Sequence, residues 1–153
     1  MITHKHCDLL TCDAKYICHQ VNCQGKMSAG LAKAIAQKWP AVKTSYETIC
    51  KTNTNRRENL LGLCQFVKVE PDKTVVNIFG QLYYGRDPNK CYTCYSALQT
   101  AFQTISMYIN KEDTIAFPYK FGCGLAGGDW GSVYAIIEKY LGDYNVIICE
   151  KDT

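Results

Sequence analysis

The chain has 153 residues, 47% of them apolar and 20% charged, with a formal net charge of +3. That length builds one ordinary core without metal or disulfide staples, and the charge is too small to argue for a nucleic-acid polyanion as the main partner. No apolar run approaches a membrane span, and the segment after Met1 lacks the apolar stretch of a signal peptide, so residues 1–153 are expected to be one cytoplasmic domain with no membrane partner.

In chain order, a strand is predicted near residues 1–6 and an apolar strand over Tyr16 to Val21. Leu31, Ile35 and Trp39, spaced by four, place a helix over 28–39, and Pro40 suits the first turn of another over 40–51. The polar stretch Thr52 to Asn59 reads as a surface loop. Strands follow over 62–69 and 74–79. The segment Gly80 to Lys90, broken by Gly85 and Pro88, leaves a strand end, where α/β folds place ligand chemistry. A helix over 93–110 puts Leu98, Ala101, Phe102, Ile105, Tyr108 and Ile109 on one face. A strand over 113–118 precedes a helix over 129–141, with Val133, Ile136, Ile137, Tyr140 and Leu141 facing inward, and a strand over 144–149 ends the pattern. Alternating strands and helices predict a layered α/β sandwich.

Ten cysteines would suggest a disulfide framework in a secreted chain. Several of these lie inside apolar strands (Cys18, Cys64, Cys149), which fits free thiols acting as small hydrophobes in a reducing compartment, all ten unpaired and mostly buried. Cys91 and Cys94 form one CxxC pair without a second at zinc spacing; His4, His6 and Cys7 could contribute ligands in principle, but the pattern weighs against zinc. No metal and no cofactor is expected.

The chemistry concentrates in two glycine-rich loops, each between a strand and a helix. The second, Gly122 to Gly128 (GCGLAGG), leaves backbone N–H groups pointing outward, which with the positive end of the next helix form an anion site. The first, Asn22 to Gly30 (NCQGKMSAG), repeats the arrangement, and two such loops suggest a ligand with two phosphates. Gly122 to Gly127 also matches the dinucleotide fingerprint, but it stands after the penultimate strand, whereas a Rossmann domain carries it after the first. The competing reading is that the glycines only allow close helix–strand packing. Asp129 reads as the N-cap of its helix, Ser28 as a cap in the first loop, and Lys26 as exposed. His19, on an apolar strand one turn before the first loop, is either a packed core residue or a catalyst.

The pairing of His19–Ala32 (HQVNCQGKMSAGLA) with Phe117–Trp130 (FPYKFGCGLAGGDW) resembles the macro domain family, in particular the branch of ADP-ribose-1″-phosphate phosphatases and terminal ADP-ribose glycohydrolases. The resemblance runs over nearly the whole chain and implies a three-layer α/β/α sandwich around a mixed sheet, with ADP-ribose over the strand ends. It implies that Asp8 accepts the adenine amino group, with Leu9 beside the base and Cys7 standing where the family has glycine. Lys26, Met27, Ser28, Ala29, Gly30 and Leu31 would wrap the distal ribose and a phosphate; Phe121, Gly122, Cys123, Gly124, Leu125 and Ala126 would serve the diphosphate; and Asn22 would face the distal ribose. His19 and Asp87 match the proposed catalytic pair of the phosphatase members, and with Asn22 they make the polar set expected to be catalytic. The lysine used by adduct-forming glycohydrolases is replaced by Gly80-Gln81, and their second-loop acid by Ala126. The expected activity is therefore metal-independent hydrolysis of ADP-ribose-1″-phosphate, with Asp87 or Asp129 activating water and His19 protonating the leaving group. The alternatives are ADP-ribosyl hydrolysis on modified protein or nucleic acid, and a non-catalytic sensor of ADP-ribose. The oligomeric state is left open.

Overall fold

The computed structural model describes residues 1–151 and contains every expected strand and helix, with ends displaced by no more than two residues. The strands are β1 (Ile2–His6), β2 (Tyr16–Asn22), β3 (Cys64–Glu70), β4 (Lys73–Gln81), β5 (Thr114–Pro118) and β6 (Asn145–Glu150). The helices are α1 (Gly30–Lys38), α2 (Pro40–Thr52), α3 (Tyr95–Tyr108) and α4 (Trp130–Leu141). The polar stretch after α2 is not wholly irregular: a 3₁₀ turn over Arg57–Leu60 drops Leu60 into the core.

The sheet runs β1-β6-β5-β2-β4-β3; β3 and β4 are antiparallel and the other pairings parallel, so it is mixed as expected. Alternation along each strand feeds two cores. Ile17, Val21, Val75 and Phe79 meet Ile35, Val42 and Tyr46 under α1 and α2. Their neighbours Cys18, Val76 and Ile78 point the other way, to Leu98, Phe102, Ile105, Val133 and Ile137 under α3 and α4. Each fully buried side chain of this size contributes about 1.5–3 kcal/mol. The helical periodicity failed at Tyr108, which is 72% exposed where the last turn of α3 passes the sheet edge.

Two features position the site. Parallel β2 and β5 are neighbours but pair only through Tyr16 with Ile115 and Ile17 with Ala116; beyond them the ladder stops, and the C-terminal halves leave a cleft. The rings of Phe102, Phe117 and Phe121 then pack edge to face at 5.4–6.0 Å. That cluster anchors Phe121, so the glycine-rich loop after β5 starts from a fixed point.

Candidate functional site

A groove follows the C-terminal strand ends. Its first hollow, about 540 Å³, is bordered by Asn22, Lys26, Ala29, Gln81, Arg86 and Ala126. A second, about 300 Å³, shares Ala29 and Ala126 and lies between Gly30 and Leu31 on one wall and Lys120, Gly122 and Gly124 on the other. A third, about 390 Å³, shares Leu31 and Lys120 and ends at Asp8 and Leu9. The two glycine-rich loops thus face each other across one continuous depression.

The first loop is shaped by Asn22. Its Nδ2 donates to the Lys26 carbonyl at 2.9 Å, and its Oδ1 accepts from the Gln24 amide at 2.9 Å and from the Tyr46 hydroxyl at 2.8 Å. Asn22 borders the hollow, but its amide is engaged in folding the loop rather than free for a ribose. Met27 is only 5% exposed and packs into the core, away from the groove. Ser28 lines the first hollow but does not cap α1; the N-cap is Ala29, with no side-chain hydrogen bond. Among the described residues the amides of Ser28, Ala29 and Gly30 make no hydrogen bond, so the positive end of α1 opens onto the groove.

The second loop is built differently. Lys120, Gly122 and Gly127 have φ of 59°, 72° and 75°, and the loop closes on itself through Cys123 N to Lys120 O and Gly128 N to Gly122 O. The Ala126 carbonyl accepts from the amides of Tyr92 at 2.7 Å and Thr93 at 3.2 Å, tying the loop to the segment before α3. That contact explains Gly127: a Cβ there would stand 2.5 Å from the Lys90 carbonyl. Among the described residues the amides of Gly124, Leu125 and Ala126 find no acceptor, an arrangement that can serve as an anion nest. Cys123 turns away, its thiol donating to the Phe121 carbonyl and its side chain packing on the second core. Asp129 caps α4, its Oδ2 accepting from the amide and hydroxyl of Ser132 at 2.9 Å each. The dipole of α4 is answered within the protein, not by the groove.

Consecutive residues of β2 form the floor. His19 is 2% exposed; its Nε2 bonds Asn77 Oδ1, whose own Nδ2 donates to Gln65 Oε1, so Nε2 carries the hydrogen. Nδ1 is a buried acceptor without a partner. Burial pushes the imidazole down to about 4, the Asn77 bond opposing, so the ring is neutral near pH 7 and offers a lone pair, not a proton. A neutral ring with an open lone pair on Nδ1 does not fit the expected acid role. Gln20 points to the opposite face, donating through Nε2 to Gln81 Oε1 at 2.7 Å and Thr93 Oγ1 at 3.0 Å, while its Oε1 is buried without a partner. Gly80 is required by this amide: a Cβ there would meet Gln20 Oε1 at 2.3 Å and Leu98 Cδ2 at 2.7 Å. The Gln20–Gln81 pair was missed in the sequence, although strand alternation places Gln20 one position from His19, on the other face. Tyr84 and Arg86, also missed as individuals, hang over the first hollow from the loop after β4.

The other expected residues divide. Phe121 reaches the groove by its backbone, its ring being 2% exposed in the core. Asp87 is exposed and does not border the groove; its Oδ1 accepts from the Asn89 amide at 2.9 Å in a local turn. Asp8 stands at the far end beside buried Leu9. Its Oδ1 accepts from the Leu10 amide at 2.9 Å and its Oδ2 lies 3.4 Å from Lys151 Nζ; the Leu10 bond, then the Lys151 charge, hold the carboxyl below its usual value. Among the described residues, those bordering the first two hollows include Lys26, Arg86 and Lys120 and no carboxylate. No group of three or more His, Cys, Asp or Glu among them is arranged to hold a metal ion, and no helix is long and apolar enough to cross a membrane.

No protein-family model matches the sequence, and no curated protein does. Solved structures do match. A protein of unknown function from Bacteroides thetaiotaomicron is 26% identical, with a TM-score of 0.85 and 98% of each chain covered. The macrodomain of Mycobacterium tuberculosis DarG is 27% identical, with a TM-score of 0.76 over 100% of this chain and 99% of that one. Thermosipho africanus DarTG in complex with ADP-ribose, at 18% identity, is alike in fold, with a TM-score of 0.78 over 97% of this chain and 41% of that one. With its mixed six-stranded sheet, its two facing glycine-rich loops and this full-length likeness, the chain has the macrodomain fold.

Proposed function

We propose that the groove binds ADP-ribose or a molecule carrying it at one end. The observation that carries this reading is the pair of partnerless amide sets, Ser28 to Gly30 and Gly124 to Ala126, facing each other across hollows bordered by Lys26, Arg86 and Lys120. Such a site suits a diphosphate. Asp8 and Leu9, at the far end, offer a carboxylate acceptor and an apolar surface for adenine. The distal ribose would lie over Ala29 and the Gln20–Gln81 amides. The fold shared with an ADP-ribose complex supports the same ligand. Calorimetric titration tests it: ADP-ribose is expected to bind with a micromolar Kd or tighter, about −8 kcal/mol, and AMP much more weakly. No heat and no chemical-shift change at millimolar ADP-ribose overturns the reading.

Binding without catalysis is the form the groove supports best, since its inner hollows present cations and amides and the imidazole below them is neutral. One observation favours hydrolysis of ADP-ribose-1″-phosphate as a second reading: Arg86 borders the first hollow, so Asp87 is one residue from it and would activate water if the loop after β4 turned inward. Phosphate release that Asp87→Ala cuts about tenfold or more would establish that reaction. Release from ADP-ribosylated protein or DNA instead would establish ADP-ribosyl hydrolysis.

A further inference from the structure

Two carboxamides meet on the floor of the groove, and both Gln20 and Gln81 border its first and its second hollow. They are links in one chain of hydrogen bonds. Thr93 Oγ1 donates to the Gly122 carbonyl at 2.6 Å. Gln20 Nε2 donates to Thr93 Oγ1 at 3.0 Å and to Gln81 Oε1 at 2.7 Å. Gln81 Nε2 donates in turn to the Tyr83 carbonyl at 2.9 Å. The chain runs from the second glycine-rich loop, through β2, to the loop after β4. We propose that Gln81 recognises the distal ribose of ADP-ribose by pairing its carboxamide with ribose hydroxyls, and that Gln20 is the residue that positions it. This assignment rests on the function proposed above.

The two ends of the chain fix the orientation of both amides. A peptide carbonyl only accepts, so the Thr93 hydroxyl gives its hydrogen to Gly122 and must itself accept from Gln20. Gln20 therefore turns its nitrogen to Thr93 and Gln81, and both of its N–H hydrogens are engaged. Gln81 meets that nitrogen with its oxygen, which leaves its own nitrogen facing the Tyr83 carbonyl. Reversing either amide, or both, would set one oxygen against another. Two glycines make room: a Cβ at Gly80 would stand 2.3 Å from Gln20 Oε1, and one at Gly122 would stand 3.0 Å from it. Gln81 is then left with one N–H hydrogen and one oxygen lone pair that no described residue takes up. A hydroxyl is donor and acceptor at once, so a sugar diol suits an amide with one of each open. Because the amide is held at both ends, little of its freedom remains to be lost when the ligand arrives. Gln20 has no hydrogen left to give, and its Oε1 is buried, so it acts on the ligand through Gln81. The competing role is a brace that only ties β2, β4 and the second loop together.

Calorimetric titration with ADP-ribose and with ADP, which has the same adenosine and diphosphate but no distal ribose, separates the two roles. The proteins are wild type, Gln81→Met, Gln20→Met and the double variant; methionine keeps the length of the side chain and removes the amide. Wild type is expected to prefer ADP-ribose. Gln81→Met should weaken ADP-ribose about tenfold, the scale of one or two neutral hydrogen bonds, and change ADP less than about twofold. Gln20→Met should weaken ADP-ribose about threefold. The double variant should bind no more weakly than Gln81→Met, because residues acting through one contact are not additive. Retained ADP binding shows that the variants fold. Equal loss of both ligands in Gln81→Met, or full preference for ADP-ribose kept there, makes Gln81 a brace and overturns the assignment while the ADP-ribose function stands. Losses that add in the double variant overturn the positioning role of Gln20. Wild type that does not bind ADP-ribose overturns the function proposed above and this assignment with it.

Discussion

The two glycine-rich loops resemble each other in sequence and differ in how they treat the helix that follows. Helix α1 begins at an Ala29 cap whose side chain bonds nothing, so its first amides face the groove. Helix α4 begins at Asp129, whose carboxylate takes the Ser132 amide and places a negative charge on the dipole. A helix start leaves four amides to satisfy; α1 leaves its first ones open toward the groove, whereas at α4 Asp129 takes the Ser132 amide. In the second loop the open amides are those of Gly124 to Ala126, held by positive φ at Gly122 and Gly127. Strand β2 serves both, with His19 under the first loop and Gln20 under the second.

The largest effect expected comes from making the first loop like the second. Ala29→Asp would cap α1, raising stability by about 0.5–2 kcal/mol, and would put a carboxylate where a phosphate belongs. ADP-ribose affinity should fall about a hundredfold, on the order of 2.7 kcal/mol, while the melting temperature rises. A variant that is more stable and binds normally would show that the open end of α1 is not an anion site.

At the opposite end of the groove, Asp8→Ala should weaken ADP-ribose by about 1.5–3 kcal/mol, the scale of a hydrogen bond to a charged group. Titration against wild type measures it. Unchanged affinity with a lowered melting temperature would assign Asp8 to its turn, through the Leu10 amide alone.

The buried ring under the first loop predicts a pH effect. The folded value of His19 lies at about 4, below the ordinary 6.5. Its depressed folded pKa means that its contribution to stability is full above pH 6.5 and is lost as pH falls toward 4. The slope is about 1.4 kcal/mol per pH unit inside that window, so urea unfolding should show about 2 kcal/mol lost between pH 6.5 and 5. His19→Gln, which keeps a donor for Asn77, should remove this component; a wild-type slope in the variant would place the effect elsewhere.

The smallest effect tests the closed helix. Asp129→Ala should cost about 1 kcal/mol of stability, read by denaturant titration, and change ADP-ribose affinity less than about threefold. A loss of affinity matching that of Ala29→Asp would mean that the two loops work alike after all.

Much of the fold was legible because periodicity reports burial. The faces of α3 and α4 and the alternation in β2 and β4 led to both cores. The misreadings fall where neighbours in space decide. Ser28 has the right chemistry for a cap, yet the chain enters α1 one residue later. Met27 sits among groove residues in sequence, but Tyr46 and the Asn22 amide fold the loop so that Met27 drops inward. His19 could be core or catalyst until the bond to Asn77, which is 58 residues away, fixed its tautomer. Ten cysteines, several of them in apolar strands, suggested mostly buried thiols, but only four are buried: Cys18, Cys23, Cys50 and Cys149.

By itself, the order of residues determined the elements, the layered α/β class, the two loops and the cap on α4, because these depend on local periodicity, glycine freedom and a carboxylate three residues from its amide. Only the tertiary structure decided which amides stay open, that β2 and β5 part after two pairs, that Gly80 makes room for the Gln20 amide, and that Asp87 stands outside the groove. Those outcomes depend on contacts between segments far apart in the chain, which local preference does not encode.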